Sequence, residues 1–335
     1  MSDSHTPYTP SSETHTPLRR LGQSDLLISA LGLGCWQFSK GSGLVGKFWP
    51  VLPDADIVDI VRLSLEGGMN WFDTAEAYGW GASEQALDQA LHAVGPLGRQ
   101  AVIATKWWPV LRSAGSITKT IDERIERLGG RTIDLYQIHQ PYSFSSVRKQ
   151  MREMSELLKQ GRIVHAGVSN FSAAKMREAH RILADYGFPL VSNQVKYSLL
   201  DRRIERNGIL DTARELGMTI IAYSPLAQGL LTGKFHRDPS LVKRSGGPRR
   251  FQAKFKTAGL NASRPVLDLV EELAGTYGVS PSQIALNWLI HAHGDAVVAI
   301  PGASKVKHAE ENIGALRFRL ASEHLAQLSD ASREF

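Results

Sequence analysis

The sequence predicts an α/β protein of the (β/α)8, or TIM, barrel class, opened by an N-terminal β-hairpin and closed by extra C-terminal helices. Three observations carry this expectation. Eight short β-prone runs alternate with amphipathic helical stretches. Asp73, Lys106 and His139 each end such a run at equal intervals of 33 residues, the length of one strand and helix unit. No break in composition divides the 335 residues, and barrels of this class reach that size as one domain.

In chain order, Met1 to Arg20 is rich in Ser, Thr, Pro and His and lacks the apolar core of a secretory signal, so residues 1–17 read as a disordered tail before a single domain, 18–335. Leu18 to Ser29 reads as the hairpin. Strands are expected at Leu31 to Cys35, Asn70 to Asp73, Ala101 to Thr105, Ile133 to Ile138, Ile163 to Val168, Leu190 to Gln194, Thr219 to Tyr223 and Val297 to Ile300. Apolar residues at three- and four-residue spacing mark helices such as Ala55 to Glu66, Ser83 to Ala93, Ser145 to Lys159, Ala173 to Ala184 and Ile204 to Glu215. Residues at the carboxyl ends of parallel strands meet at one face, where such folds place their chemistry. Asp73, Tyr78, Lys106 and His139 are therefore expected in one cleft.

No run of eighteen apolar residues is present, so no membrane span is expected. The single cysteine, Cys35, excludes an intrachain disulfide, fits a reducing, cytoplasmic compartment, and reads as a small buried hydrophobe. The net charge of +6 is local: Lys234 to Lys256 holds eight basic residues against one acid, Asp238, which leaves the rest of the chain near −1. With Gly246-Gly247-Pro248 inside it, this segment reads as a loop suited to a small polyanion, or as a solvated surface loop. Nucleic acid would need a broader positive face.

A doubly wound dinucleotide-binding sheet competes with the barrel, but its signature is missing. Gly32-Leu33-Gly34 is followed by Gln37 where a third glycine should stand, and Gly229 to Lys234 is one residue short of a phosphate loop. His291 and His293, two apart, turn to different faces of a helix, so no metal site is expected.

Phe72-Asp73-Thr74-Ala75-Glu76-Ala77-Tyr78-Gly79, Thr105-Lys106, Asp134 to His139, Gly167-Val168-Ser169-Asn170-Phe171, Ser192-Asn193-Gln194, Tyr223 to Gly229 and Ile300-Pro301-Gly302-Ala303-Ser304 together resemble the aldo-keto reductases in order and spacing. The Ser-Pro-Leu and Pro-Gly-Ala-Ser stretches are most similar to the bacterial, plant and potassium-channel β-subunit branches. The resemblance implies an NADPH-dependent oxidoreductase that reduces small-molecule carbonyls to alcohols on a (β/α)8 barrel.

The chemistry agrees with that implication. Carbonyl reduction needs a hydride donor and a proton donor, because the forming alkoxide is a strong base. A free tyrosine has a pKa of about 10, so a neighbouring ammonium held by a carboxylate is expected to lower it. Tyr78 as proton donor, Lys106 as its tuner, Asp73 as the anchor of Lys106 and His139 as the group orienting the carbonyl meet these needs. Singly, a helix cap, a surface lysine, a loop aromatic and a core histidine would explain them; at four matching strand ends they form a catalytic set.

For the cofactor, the resemblance assigns Ser169, Asn170 and Gln194 to the nicotinamide carboxamide and Tyr223 to the face of its ring. Ser224, Pro225, Leu226, Gln228, Gly229 and Lys234 would surround the pyrophosphate, with Arg249 or Arg250 folding over it. Gly302, Ser304 and Lys305 open a helix whose N-terminus suits a phosphate. His308 would assist, Glu311 and Asn312 would meet the adenine, and Lys307 reads as solvated helix surface. Trp36, Phe48, Trp49, Trp80, Trp107, Trp108 and Tyr142 fall on rim loops. They suggest a flat mouth for aromatic or hydrophobic aldehydes and ketones, or packing under the long Gly41 to Pro53 loop. A redox-sensing NADPH-binding partner with little turnover is the alternative, and a nucleic-acid binder ranks last. The oligomeric state is not legible in the sequence.

Overall fold

The structure is a computed structural model that describes residues 17–43, 48–244 and 251–335. Residues 1–16 of the expected tail, and Arg249 and Arg250, lie outside the described residues.

Arg19–Arg20 (β1) and Leu27–Ile28 (β2) pair antiparallel, as the hairpin reading expects. Eight parallel strands follow: Leu33–Gly34 (β3), Trp71–Asp73 (β4), Val102–Trp107 (β5), Ile133–Ile138 (β6), Ile163–Ser169 (β7), Leu190–Lys196 (β8), Thr219–Tyr223 (β9) and Val297–Ala299 (β10). They hydrogen bond in chain order. Bridges Leu31↔Ala299 and Gly34↔Gly302 join the first strand to the last. Gly32 N–H donates to Ala299 O at 2.9 Å and Ala299 N–H to Ala30 O at 3.0 Å, so the sheet curls onto itself and its two edges meet.

The surrounding helices are Asp54–Glu66 (α1), Ala82–Val94 (α2), Gly115–Arg127 (α3), Val147–Lys159 (α4), Ala173–Asp185 (α5), Ile209–Glu215 (α6), Thr257–Tyr277 (α7), Pro281–His291 (α8), Val306–Gly314 (α9) and Ser322–Ala331 (α10). After β9 and β10 there are four of these where two would complete the alternation, which gives the extra C-terminal helices. Their starts are encoded locally. Ser146 and Ser172 accept the N–H groups of Lys149 and Lys175, and Ser280 with Gln283 forms a capping box before Pro281. The helix expected over Ile204 to Glu215 is instead broken: one turn, Arg203–Arg206, ends before Gly208, whose φ of 79° is left-handed, and α6 starts after it.

Strand alternation sorts side chains to the two faces of the barrel wall. Trp71, Ala104, Leu135, Val191, Ile221 and Val298 form an inner apolar cluster, together with Leu21 and Ile28 of the hairpin. Phe72, Ile103, Tyr136 and Ile138 belong to the larger cluster between sheet and helices. The hairpin closes the amino ends of the strands: Gly22 N–H donates to Thr219 Oγ1 at 2.8 Å and Arg19 donates to Val297 O at 2.7 Å. Gly32 is required where the chain passes the Trp71 indole, since a Cβ there would lie 2.2 Å from the ring. Apolar side chains plug the amino end, and the cleft opens at the carboxyl end of the strands.

Candidate active site

One step above the apolar layer, the same inward alternation presents Asp73 on β4, Lys106 on β5 and Gln137 on β6, with His139 one step further. Lys106 is fully buried and Asp73 almost so. Lys106 Nζ donates to Asp73 Oδ1 at 2.5 Å and to Thr74 O at 2.8 Å. Asp73 Oδ2 accepts from Gln194 Nε2 at 2.8 Å and from Gln137 Nε2 at 3.1 Å. Both carboxylate oxygens thereby have donors, which a buried charge requires.

Tyr78 lies in the loop after β4, with Lys106 Nζ 5.1 Å from its ring centroid. His139 meets the Tyr78 ring edge-on at 5.6 Å and the Trp108 ring edge-on at 5.2 Å. Burial pushes the Tyr78 phenol well above 10.0, and the Asp73 carboxylate and Cys35 thiol add to the rise. This is the opposite of the lowering that an ammonium alone would produce, because loss of water around the buried phenol outweighs it. Burial also pushes the His139 imidazole well below 6.5, assisted by the Lys106 charge. The ring is neutral near neutrality, and its Nδ1 is buried without a hydrogen-bond partner among the described residues. The arrangement therefore holds a protonated phenol beside a neutral imidazole at the floor of the cleft.

The cleft has a volume of about 700 Å³. Asp73, Tyr78, Trp36, Trp108 and His139 line one part of it; Ser169, Asn170, Gln194, Tyr223, Ser224, Pro225, Leu226, Gln228, Gly229, Lys234, Gly302, Ser304, His308, Glu311 and Asn312 line the rest. Tyr223 OH donates to Asn170 Oδ1 at 3.0 Å, and Ser169 Oγ donates to Gln194 O at 2.9 Å. Asn170, Ser224 and Gln228 hold left-handed φ values of 60°, 53° and 62°, a strain that surrounding structure must impose and that clusters at ligand sites. Gln228 Oε1 and Asn312 Nδ2 are buried without a partner among the described residues, as is Gln37 Oε1. Gln37 packs against Gly302 so closely that a Cβ there would lie 2.3 Å from its Nε2. Unspent polar atoms in a cleft with cations at one end fit an elongated polar ligand with phosphate groups.

Several expected site residues stand elsewhere. Trp107 follows inward Lys106 on β5 and so points outward; it is fully buried and its indole N–H donates to Ser116 Oγ at 3.0 Å. Trp80, at φ 55°, is 63% exposed, and Tyr142 is 68% exposed; neither lines the cleft. Helix α9 starts at Val306 rather than Ser304, with Lys305 at its N-cap position, exposed and outside the lining. Arg250 lies outside the described residues. Cys35 is buried, as expected of a small hydrophobe, yet it also borders the cleft. Gln37, Gln140 and Lys254 line the cleft without a role expected of them from the sequence, and Gln137, inside the Asp134 to His139 segment but given no role there, supports its floor. Alternation back from His139 is the one signal that points to Gln137.

The strand ends of this barrel gather a lysine-carboxylate pair, a buried phenol and a neutral imidazole beside an anion-suited cleft. A sequence model described as the Aldo/keto reductase family matches residues 30–333, and the chain belongs to that family. An uncharacterized oxidoreductase of Mycobacterium tuberculosis is 39% identical over 308 residues, 92% of this chain and 90% of the relative. A probable aldo-keto reductase of Glycine max is 30% identical over 324 residues, covering 93% and 88%. Among solved structures, a glycerol dehydrogenase from Gluconobacter oxydans superposes with a TM-score of 0.78 at 30% identity, covering 94% of each chain. A thermostable aldo-keto reductase crystallised with the inhibitor epalrestat gives 0.72 at 30% identity, covering 94% of this chain and 99% of that one.

Proposed function

We propose that this oxidoreductase is an NADPH-dependent carbonyl reductase acting on neutral, planar aldehydes and ketones. The observation that carries the reading is the convergence of Asp73, Tyr78, Lys106 and His139 beneath an aromatic wall in one cleft. The nicotinamide, when bound, would supply the hydride. Ser169, Asn170 and Gln194 offer the acceptor and donors that a carboxamide needs, and Tyr223 offers a ring face. Ser224, Pro225, Leu226, Gln228, Gly229, Gly302 and Lys234 would hold the pyrophosphate, Ser304, Lys305 and His308 the 2′-phosphate, and Glu311 and Asn312 the adenine.

Tyr78 would donate its phenolic proton to the carbonyl oxygen as negative charge develops there. The Lys106 ammonium, fixed by Asp73, would stabilise the phenolate left behind, and the neutral His139 would direct an N–H at the same oxygen. Trp36 and Trp108 would keep water from the reacting carbon. Trp36 and Trp108 present aromatic surface at this end of the cleft, which favours neutral, planar substrates. Following NADPH consumption against a panel of aldehydes, ketones and quinones tests this. Tight NADPH binding with negligible turnover across the panel would favour a redox-sensing partner instead.

The titration directions predict the pH profile. Reduction needs Tyr78 protonated and His139 neutral. Tyr78 loses its proton only well above 10.0, and His139 gains one only well below 6.5. The kcat/KM for reduction is therefore expected to be flat between those two pH values, and a limb inside that window would assign the essential groups elsewhere.

NADPH is expected to be preferred to NADH. Ser304 N–H donates to His308 Nδ1 at 3.3 Å, which leaves Nε2 as the protonated nitrogen of a ring that burial keeps neutral. With the Ser304 hydroxyl and Lys305 beside it, the start of α9 would offer donors and a cation to a dianion. Ser304→Ala with Lys305→Ala should raise the Kd of NADPH at least about tenfold, or 1.4 kcal/mol, and leave NADH nearly unchanged in fluorescence titrations. Equal weakening of both would place 2′-phosphate recognition elsewhere, with the Lys243 to Lys256 segment as the next candidate.

A further inference from the structure

We propose that Glu76 and Arg112 are positioning residues: a brace that fixes Trp108 against His139 and so sets the pose of a planar substrate, an inference that rests on the carbonyl-reductase reading of this site. Glu76 lies in the loop between Asp73 and Tyr78 and is 8% exposed. Its Oε2 accepts the Trp108 N–H at 2.9 Å and its Oε1 accepts from Arg112 Nη1 at 2.6 Å. Its own N–H donates to Lys106 O at 3.2 Å. Arg112 in turn donates to Ser116 Oγ and Thr120 Oγ1, both at 3.1 Å, and its guanidinium lies 5.7 Å from the Trp107 ring centroid. The Arg112 carbonyl accepts the Ser143 hydroxyl at 2.9 Å and the Phe144 N–H at 3.1 Å, in the loop that follows His139.

The Glu76 carboxylate thus ties the loop after β4 to the loop after β5, and the Arg112 carbonyl carries the link on to the loop after β6. These loops are past the ends of the strands, so the sheet ladder no longer fixes their spacing. The charge-assisted bonds of Glu76 replace it at the point where Trp108 leaves β5. His139 is held between the Tyr78 and Trp108 rings. A displaced Trp108 would widen the gap into which a flat substrate slides while leaving the proton donor in place. The brace therefore acts on substrate fit rather than on proton transfer or cofactor binding, and a bulky planar carbonyl should feel its loss more than a small flexible one.

Three variants of the full chain separate this role from a merely structural one. Glu76→Leu removes both acceptor oxygens, Glu76→Gln keeps an amide oxygen for the Trp108 N–H, and Arg112→Met keeps an apolar stem over Trp107. In Glu76→Leu the Michaelis constant for a planar bicyclic aldehyde, naphthaldehyde, should rise about tenfold while that for butanal rises less than about threefold, and Glu76→Gln should recover most of the difference. Hydrogen exchange at the Trp108 amide should quicken at least about tenfold in Glu76→Leu and much less in Glu76→Gln. Equal losses on both aldehydes, an unchanged Michaelis constant, or unaltered exchange at Trp108 would overturn the brace. If Glu76→Leu does not fold, Arg112→Met against Glu76→Gln makes the same comparison: only the former should widen the gap between the two aldehydes, and no gap overturns the proposal. Should the unaltered protein reduce no carbonyl, the carbonyl-reductase reading fails, and amide exchange alone then decides the brace.

Discussion

Replacing Tyr78 by phenylalanine is expected to lower kcat for carbonyl reduction at least about a hundredfold, the usual contribution of a positioned general acid, while the Kd of NADPH changes less than about twofold. The substitution keeps the ring. The stack with Trp36, 5.9 Å between centroids, and the edge contact with His139 should both survive, so the cleft keeps its shape. Only the proton is lost. Because burial raises the phenol, the hydroxyl is protonated throughout the ordinary pH range, and the phenolate left by each turnover would recover its proton from solvent. His139 is neutral and the Lys106 ammonium is committed to Asp73, so neither would take over as the acid. Steady-state kinetics on a good aldehyde with cofactor titration would decide the role. Near-normal turnover by the purified variant would remove Tyr78 from the mechanism.

The parts of this protein legible in its sequence are those written in short-range pattern. The strand runs that end at Asp73 and His139 carry apolar alternation and a fixed 33-residue spacing, and both land at the carboxyl end of the barrel. What escapes a linear reading depends on the third dimension. Trp107 and Trp108 are equal candidates in one dimension, but strand alternation sends the first under α3 and the second into the cleft. The Tyr78 shift runs opposite to the expected direction because the fold buries the phenol, a desolvation invisible in the sequence, and sets the Asp73 carboxylate near it. Gln194 shows the same coupling: the sequence motif assigns it to a carboxamide, yet its Nε2 rests on Asp73. Glu76 is visible in the sequence only as part of a motif, since nothing linear announces that its carboxylate reaches 32 residues to Trp108 and 36 to Arg112.

Lys106→Met is expected to lower turnover at least about a hundredfold and to cost about 3 to 5 kcal/mol of folding stability, because it leaves a buried carboxylate without its counter-charge. The pair is deep: Lys106 is 0% exposed and Asp73 1%. After the substitution Asp73 keeps only the two amide donors of Gln137 and Gln194 on Oδ2, and Oδ1 has nothing. Stability and chemistry should then part company in the double variant. Lys106→Met with Asp73→Asn removes both charges and should recover most of the lost stability, since a neutral pair no longer buries an uncompensated ion. Turnover should not recover, because the phenolate left by proton transfer still faces no ammonium. Asp73→Asn alone should be milder than Lys106→Met in turnover, as the ammonium remains bonded to Thr74 O at 2.8 Å. Urea unfolding and kcat measured on all four proteins close the cycle. A double variant that regains turnover would show that the ammonium is structural only, and an Asp73→Asn variant worse than Lys106→Met would give the carboxylate a direct part in holding the cofactor.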